Sequence, residues 1–325
     1  MNPLSEQEYN RIINRLKADG KATLCKEYIR DCSEFLRENL YTSLIHERTL
    51  RKCAVIKDIF KRSGENWGQT IYTLFLRTLG DATNSKAFET LATRVTYNSV
   101  MRERHSRVSV EALMLGTSGL LSLYPQDNYT RQLMEEYAHL AWKYAIEQMT
   151  PSEWNLRNIR PYNHPVLRIV QAANLLASHN FFANEVLSCN SCADIESLFN
   201  AEVSEYWLTH FTPGRSGKEV TKSIGTMKCH LLGINMVAPA KYLYGNTMGR
   251  DNYNTEALAI LDSIPAEQNR YIASWEEYGV IPSNAFASQA LLQLSTEHCA
   301  RNKCEECQVA RFMLNDAAFI RGKEF

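Results

Sequence analysis

The sequence predicts an all-α protein, a multi-helix array or bundle with few or no strands. Three observations predict it. Apolar residues recur every three to four positions along most of the chain, helix start and stop signals bracket those runs, and no stretch alternates apolar and polar residues between Gly/Asn turn pairs. Ser5 and Glu8 form a capping-box pattern ahead of Tyr9, Ile12, Ile13 and Leu16, which share one helical face. Ile29, Cys32, Leu36 and Leu40 repeat the period, as do Leu50, Cys53, Ile56 and Phe60, with Gly64 placed to end that helix. On this pattern Cys32 and Cys53 are core positions. Trp67, Ile71, Leu74, Phe75 and Leu79 form a stripe ending at Gly80, and Leu133, Tyr137, Leu140 and Tyr144 form another.

Pro151, Pro161 and Pro165 interrupt helix formation within one short stretch, which makes residues 149–165 the candidate boundary. The chain then reads either as two helical regions, 1–150 and 151–325, or as one continuous domain. Pro165 suits a first helical turn, where its missing N–H costs nothing, and Leu167, Val170 and Ala173 to Leu176 give that helix a buried face. Later helices are expected at 194–200, 227–244, 256–261, 266–277 and 285–300, with Pro239 kinking or breaking the second of these. No fixed-period repeat is present.

At 325 residues the chain can bury a sizeable core without disulfide or metal staples. Lys plus Arg equal Asp plus Glu at 36 each, so no global field draws the protein to nucleic acid or anionic lipid, and any such binding needs a local patch. The first 17 residues lack the apolar run and cleavage site of a secretory signal, and no 18 consecutive residues are apolar. A cytoplasmic protein without a membrane partner is expected. There the nine cysteines would stay reduced, as buried small hydrophobes or as metal ligands.

The densest cysteine constellation is Cys299, Cys304 and Cys307, a C-x4-C-x2-C run preceded by His298. Thiolates this close can share a metal; zinc needs a fourth ligand, for which His298, Cys229, His230 and the Cys189 and Cys192 pair are the candidates. The spacing also resembles plant-type iron–sulfur binding, but that pattern takes a fourth, downstream cysteine and none follows Cys307, so of the two metal readings zinc is favoured over a cluster. The alternative is ordinary reduced thiols on a polar helix end.

From Trp154 to Arg168, the residues Arg157, Arg160, His164 and Arg168 interleave with Trp154 and Tyr162, a mixture suited to phosphate or nucleobase contact. A loop tied down by ion pairs would look the same. A second polar cluster, Tyr206, Trp207, His210, Arg215 and Lys218, runs into Gly214 and Gly217 but departs from the Walker pattern at Thr212 and Glu219. Gly116-Thr117-Ser118-Gly119 is out of register with a nucleophile elbow, and Cys229 and His230, adjacent on a helix, point about 100° apart. The pairs Glu135–Glu136, Glu276–Glu277 and Glu305–Glu306 read as solvated faces.

In order along the chain, Glu47-Arg48 with Lys52 and Ile56, Glu111-Ala112-Leu113 with Gly116 and Gly119, and Glu136-Tyr137 before Lys143-Tyr144 form a pattern. Trp154, Arg157, Arg160-Pro161, Pro165, Arg168 and Gln171 continue it, then Tyr206-Trp207 with His210, Pro239, Tyr244-Gly245, Pro265-Ala266-Glu267 with Asn269, and Trp275. It closes on Ser288-Gln289-Ala290-Leu291 and the three-cysteine run. In this order the chain resembles the bacterial family called domain of unknown function 2851. The resemblance implies a shared fold rather than an activity. It also implies that longer members carry an amino-terminal region with a G-x-V-E-x-H type pattern suited to a nuclease-like domain; that pattern is not in these 325 residues. The acid-x-Lys triplet here, Asp19-Gly20-Lys21, falls in an expected interhelical loop.

Three function classes follow. The first is a helical binding or scaffold module that contacts nucleic acid through Arg157, Arg160 and Arg168, or another protein domain, with a metal on Cys299, Cys304 and Cys307. The second is an enzyme acting on an anionic substrate, with Arg160, Arg168 and Tyr206 binding and His210 as general base. The third is a purely structural interaction protein.

Overall fold

A computed structural model describes residues 5–20 and 22–322, so Lys21 of the acid-x-Lys triplet lies outside the described residues. The chain is predominantly helical; among the described residues the strands are His210–Thr212 and Arg215–Ser216, a short hairpin turned at Gly214. Gly214 has φ 67°, and a Cβ there would run into the Pro125 carbonyl. No helix among the described residues is long and apolar enough to cross a membrane. The chain folds as two compact units, residues 1–52 with 261–325, and residues 53–260. The proline-rich stretch 149–165 lies inside the second.

In the first unit the helix Glu6–Ala18 starts as its sequence specifies. Ser5 Oγ accepts the Glu8 amide at 3.3 Å, and Glu8 Oε2 accepts the Ser5 amide at 2.9 Å. Its buried face is Ile12, Ile13 and Leu16. The period running from Ile29 to Leu40 does not mark one helix. Thr23–Asp31 stops, Ser33 Oγ accepts the Leu36 amide at 3.3 Å, and Glu34–Arg62 begins afresh. Cys32 sits at that break, half-buried rather than in the core, whereas Cys53 is 6% exposed.

Asn269, with Oδ1 accepting the amides of Tyr271 and Ile272 at 2.9 and 3.1 Å, delays the expected helix at 266 to Arg270–Glu276. The helix Ala285–Gln293 continues through a π-helical turn, Leu294–His298, into the 3-10 turn Cys299–Arg301. Such turns carry one extra residue and cluster at functional sites.

In the second unit Trp67–Leu79 packs on Asp81–Arg94, and Arg107–Thr117 lies buried between Asn128–Tyr144 and Pro165–Ser178. Gly116 permits that burial: a Cβ there would overlap the Tyr137 ring. Pro165 takes the first helical turn, as its fixed φ favours. Pro239 neither ends nor breaks its helix. The irregularity is absorbed one turn earlier, in the π-helical turn Gly233–Val237 between Thr226–Leu232 and Ala238–Met248.

Candidate metal centre

In the first unit the cysteine run meets a fourth cysteine. Cys25, Cys299, Cys304 and Cys307 line one cavity of about 40 Å³, with His298 and Asp19 in its wall. Cys25 is in the first turn of Thr23–Asp31, where Asp19 Oδ2 accepts the Thr23 amide at 2.6 Å. Cys299 follows the π-helical turn, and Asn302, at φ 52°, reverses the chain toward Cys304. Cys304 and Cys307 bracket a turn in which the Cys307 amide donates to the Cys304 carbonyl at 3.3 Å. Cys307 then N-caps Gln308–Asn315, a helix that packs on Thr23–Asp31. The ends of the unit's sequence thus supply the four sulfurs.

Burial decides the protonation of these thiols. Cys25 is pushed well above the ordinary thiol value by burial and then by Cys299, Cys307 and Cys304; Cys299 is pushed up to about 12 by burial and then by Cys307 and Cys304. Burial likewise raises Cys304 and Cys307, opposed at Cys304 by Lys17 and at Cys307 by the amides of Ala310 and Val309. Without a cation these groups stay protonated at neutral pH, and a bound metal would displace the protons.

Among the described residues, the only three His, Cys, Asp or Glu ligand atoms mutually within 4.8 Å are those of Cys192, Glu196 and His230, so no three of the four sulfurs crowd that closely. Four thiolates on one zinc stand ~3.8 Å apart, from Zn–S bonds of ~2.3 Å. A volume of about 40 Å³ is also roughly three times the ~10–15 Å³ that holds one water.

His298, 9% exposed, directs Nε2 to Glu47 Oε2 at 2.9 Å, and its buried Nδ1 has no hydrogen-bond partner. Glu47 also accepts from Gln293 Nε2 at 3.4 Å, and Gln293 Oε1 accepts from Arg51 at 3.0 Å. Beside them Arg48 donates to Gln289 Oε1 at 2.7 Å and Gln289 donates to Glu267 Oε2 at 2.6 Å. Burial, then Arg51, lowers the Arg48 guanidinium to about 10. Glu47-Arg48, Glu267 and Gln289 of the ordered sequence pattern thus take part in two adjoining hydrogen-bond chains in this unit.

A family model, "Protein of unknown function (DUF2851)", matches residues 1–270. The chain belongs to this family. No curated protein and no solved structure matches it. The DUF2851 match takes in Cys25, while Cys299, Cys304 and Cys307 lie beyond its last matched residue.

The other site candidates of this DUF2851 chain lie in the second unit, where Tyr162 packs edge-on against Phe211 beside His210, but they differ in exposure. Trp154 is 5% exposed, its Nε1 donating to the Ser118 carbonyl at 2.8 Å and its ring edge-on to Phe88. Trp207 is fully buried on Glu111, so neither indole is open to a stacking base. Arg157 and Arg160 are exposed. Arg168 is 6% exposed and donates to Gln171 Oε1 at 2.9 Å and Asn163 Oδ1 at 2.8 Å; burial lowers its pKa. Arg168 thus engages the protein interior, while Arg157 and Arg160 face water.

Tyr206 stacks on His210 at 3.9 Å and donates to Asp127 Oδ2 at 2.6 Å, while His210 Nδ1 lies 2.9 Å from the Tyr206 carbonyl. These contacts tie down the hairpin. Ser118 Oγ is likewise engaged, donating to the Leu115 carbonyl at 2.6 Å.

Of the proposed fourth ligands for the cysteine run, His298 lines the cavity, whereas Cys189, Cys192, Cys229 and His230 belong to the second unit. Cys189 and Cys229 point their thiols at the carbonyls of Glu185 and Ile224. Cys25 was missed because it reads as one more apolar position beside Tyr28 and Ile29, and nothing local pairs it with residues more than 270 positions away.

Proposed function

We propose that this protein is a helical scaffold whose first unit is organised by an iron–sulfur cluster on Cys25, Cys299, Cys304 and Cys307. The observation that carries the reading is four thiols around one cavity, no three of which stand mutually within 4.8 Å as the ligands of one zinc would. Four cysteine thiolates are the usual ligand set of both two-iron and four-iron clusters. The sequence argument for zinc rested on the missing fourth, downstream cysteine; with Cys25 contributed from upstream that argument no longer applies. The cluster would join the Gln308–Asn315 segment to Thr23–Asp31 through covalent bonds, fixing two sequence-distant segments where the cavity leaves a gap in their packing.

The test is aerobic and anaerobic purification of the full chain, with iron, acid-labile sulfide and zinc counted and the visible spectrum recorded. Iron and sulfide in equal amounts, with broad absorbance near 400 nm that Cys304→Ser abolishes, is the expected result. One zinc per chain without sulfide, or neither metal, overturns it.

A further inference from the structure

The second unit carries another constellation, made from three different kinds of ligand. Cys192 and Glu196 lie one turn apart on Cys192–Leu198, hence on one face, and His230 faces them from Thr226–Leu232, which packs against that helix. Cys192 Sγ is 3.6 Å from Glu196 Oε1, His230 Nε2 is 2.7 Å from the same oxygen, and all three ligand atoms fall within 4.8 Å of one another. We propose that Cys192, Glu196 and His230 form a divalent transition-metal site, with zinc the best-suited ion, whose fourth position is open to water or an exogenous ligand.

Bond lengths of ~2.3 Å for Zn–S and ~2.0–2.1 Å for Zn–N and Zn–O place tetrahedral S···O neighbours ~3.6 Å apart and N···O neighbours ~3.3 Å apart. The sulfur and carboxylate oxygen already have that separation, and the imidazole has to retreat by well under 1 Å. One thiolate and one carboxylate would neutralise a dication, and the mixed sulfur, nitrogen and oxygen set favours zinc over magnesium or calcium, which take oxygen ligands. Glu196 keeps 44% of its side chain exposed against 15% for His230, so the set opens to solvent on the carboxylate side. Three protein ligands with an open position are the arrangement of catalytic rather than closed structural zinc sites.

A nucleophilic thiolate is the competing use of Cys beside His. It fits poorly, because His230 Nε2 is engaged with Glu196 Oε1 rather than with the thiol, and Cys192 Sγ points to that same carboxylate, so no base is aimed at the sulfur.

The experiment is equilibrium dialysis of the full chain against micromolar zinc, with bound zinc counted for wild type, His230→Ala, Cys192→Ser and the milder Glu196→Gln. The variants are expected to bind one zinc fewer per chain. Maleimide labelling read at the Cys192 peptide should slow at least tenfold with zinc in wild type and stay unchanged in His230→Ala. Equal zinc in wild type and variants, or labelling of wild-type Cys192 indifferent to zinc, overturns the proposal. All these chains keep the first unit's cysteines, so whatever those hold cancels in the difference, and the outcome is independent of the iron–sulfur reading.

Discussion

Trp207 Nε1 donates to Glu111 Oε2 at 2.7 Å where neither residue reaches solvent. The same carboxylate accepts the Tyr129 hydroxyl at 2.8 Å, the Ser204 hydroxyl at 2.7 Å and the Asn174 amide at 2.6 Å. Glu111 therefore joins Arg107–Thr117 to Asn128–Tyr144, Pro165–Ser178 and Glu205–Thr209. Trp207 and Asn174 offer only N–H groups here, so an acceptor-only side chain is required. Replacing Glu111 with Ala strands several buried donors at ~1–3 kcal/mol each and should cost about 4 kcal/mol. Gln, which turns one oxygen into a donor, should cost about 2 kcal/mol. Urea unfolding curves measure both, and a Glu111→Ala loss below about 1 kcal/mol would refute the account.

Gly116 packs where the Arg107–Thr117 helix meets the Tyr137 ring on Asn128–Tyr144, with no room for a Cβ. Gly→Ala within a helix normally stabilises by up to ~1 kcal/mol through propensity. Here overpacking, ~1–3 kcal/mol, should prevail and lower the melting temperature. Thermal melts of Gly116→Ala alone and combined with Tyr137→Ala give the check, since the smaller partner should relieve the penalty.

Asp127 N-caps Asn128–Tyr144 and accepts the Tyr206 hydroxyl. Burial would raise its carboxyl, but the Thr130 amide, the Tyr206 hydroxyl and the Thr130 hydroxyl outweigh that, and the pKa is held below the usual value. A depressed carboxyl contributes stability above its unfolded pKa of ~3.9, and the contribution disappears as pH falls through the folded value. Asn at 127 keeps the cap without the charge. The stability gap between wild type and Asp127→Asn should be widest at neutral pH and close below pH ~4; a gap constant from pH 3 to 7 would contradict it.

The helices were legible wherever capping and periodicity agreed, as at Ser5–Glu8 and at Trp67 to Gly80. They misled where a cap lay inside an apparent period: Ser33 divides Ile29 from Leu36, and Asn269 removes residues 266–269 from the helix expected there. Leu50 keeps the period yet is 49% exposed, since spacing identifies a face without saying what covers it. Three of the four cysteines lining the cavity were visible as a run. Cys25, and the meeting of Cys192 and Glu196 with His230, were not, because long-range packing assembles those sets and one sequence holds no record of it.

If a cluster joins Cys25 to Cys299, Cys304 and Cys307, removing it should loosen the first unit. A ligand bound only by the folded chain stabilises it by RT ln(1 + [L]/Kd), about 4 kcal/mol at a thousandfold excess over Kd. At roughly 4 °C per kcal/mol, where the ranges for small and mid-sized domains meet, as suits a unit made of residues 1–52 with 261–325, apoprotein made by acid treatment and refolding should melt about 15 °C below loaded protein. Cys25→Ser should melt with the apoprotein and gain nothing from iron and sulfide. Hydrogen exchange locates the effect: amides of residues 308–315 should lose protection in the apo form and in Cys25→Ser alike, while those of 107–117, in the other unit, should not change. Equal protection of 308–315 with and without the cluster would mean that helix packing alone holds the segment, and the four thiols would then have no structural role.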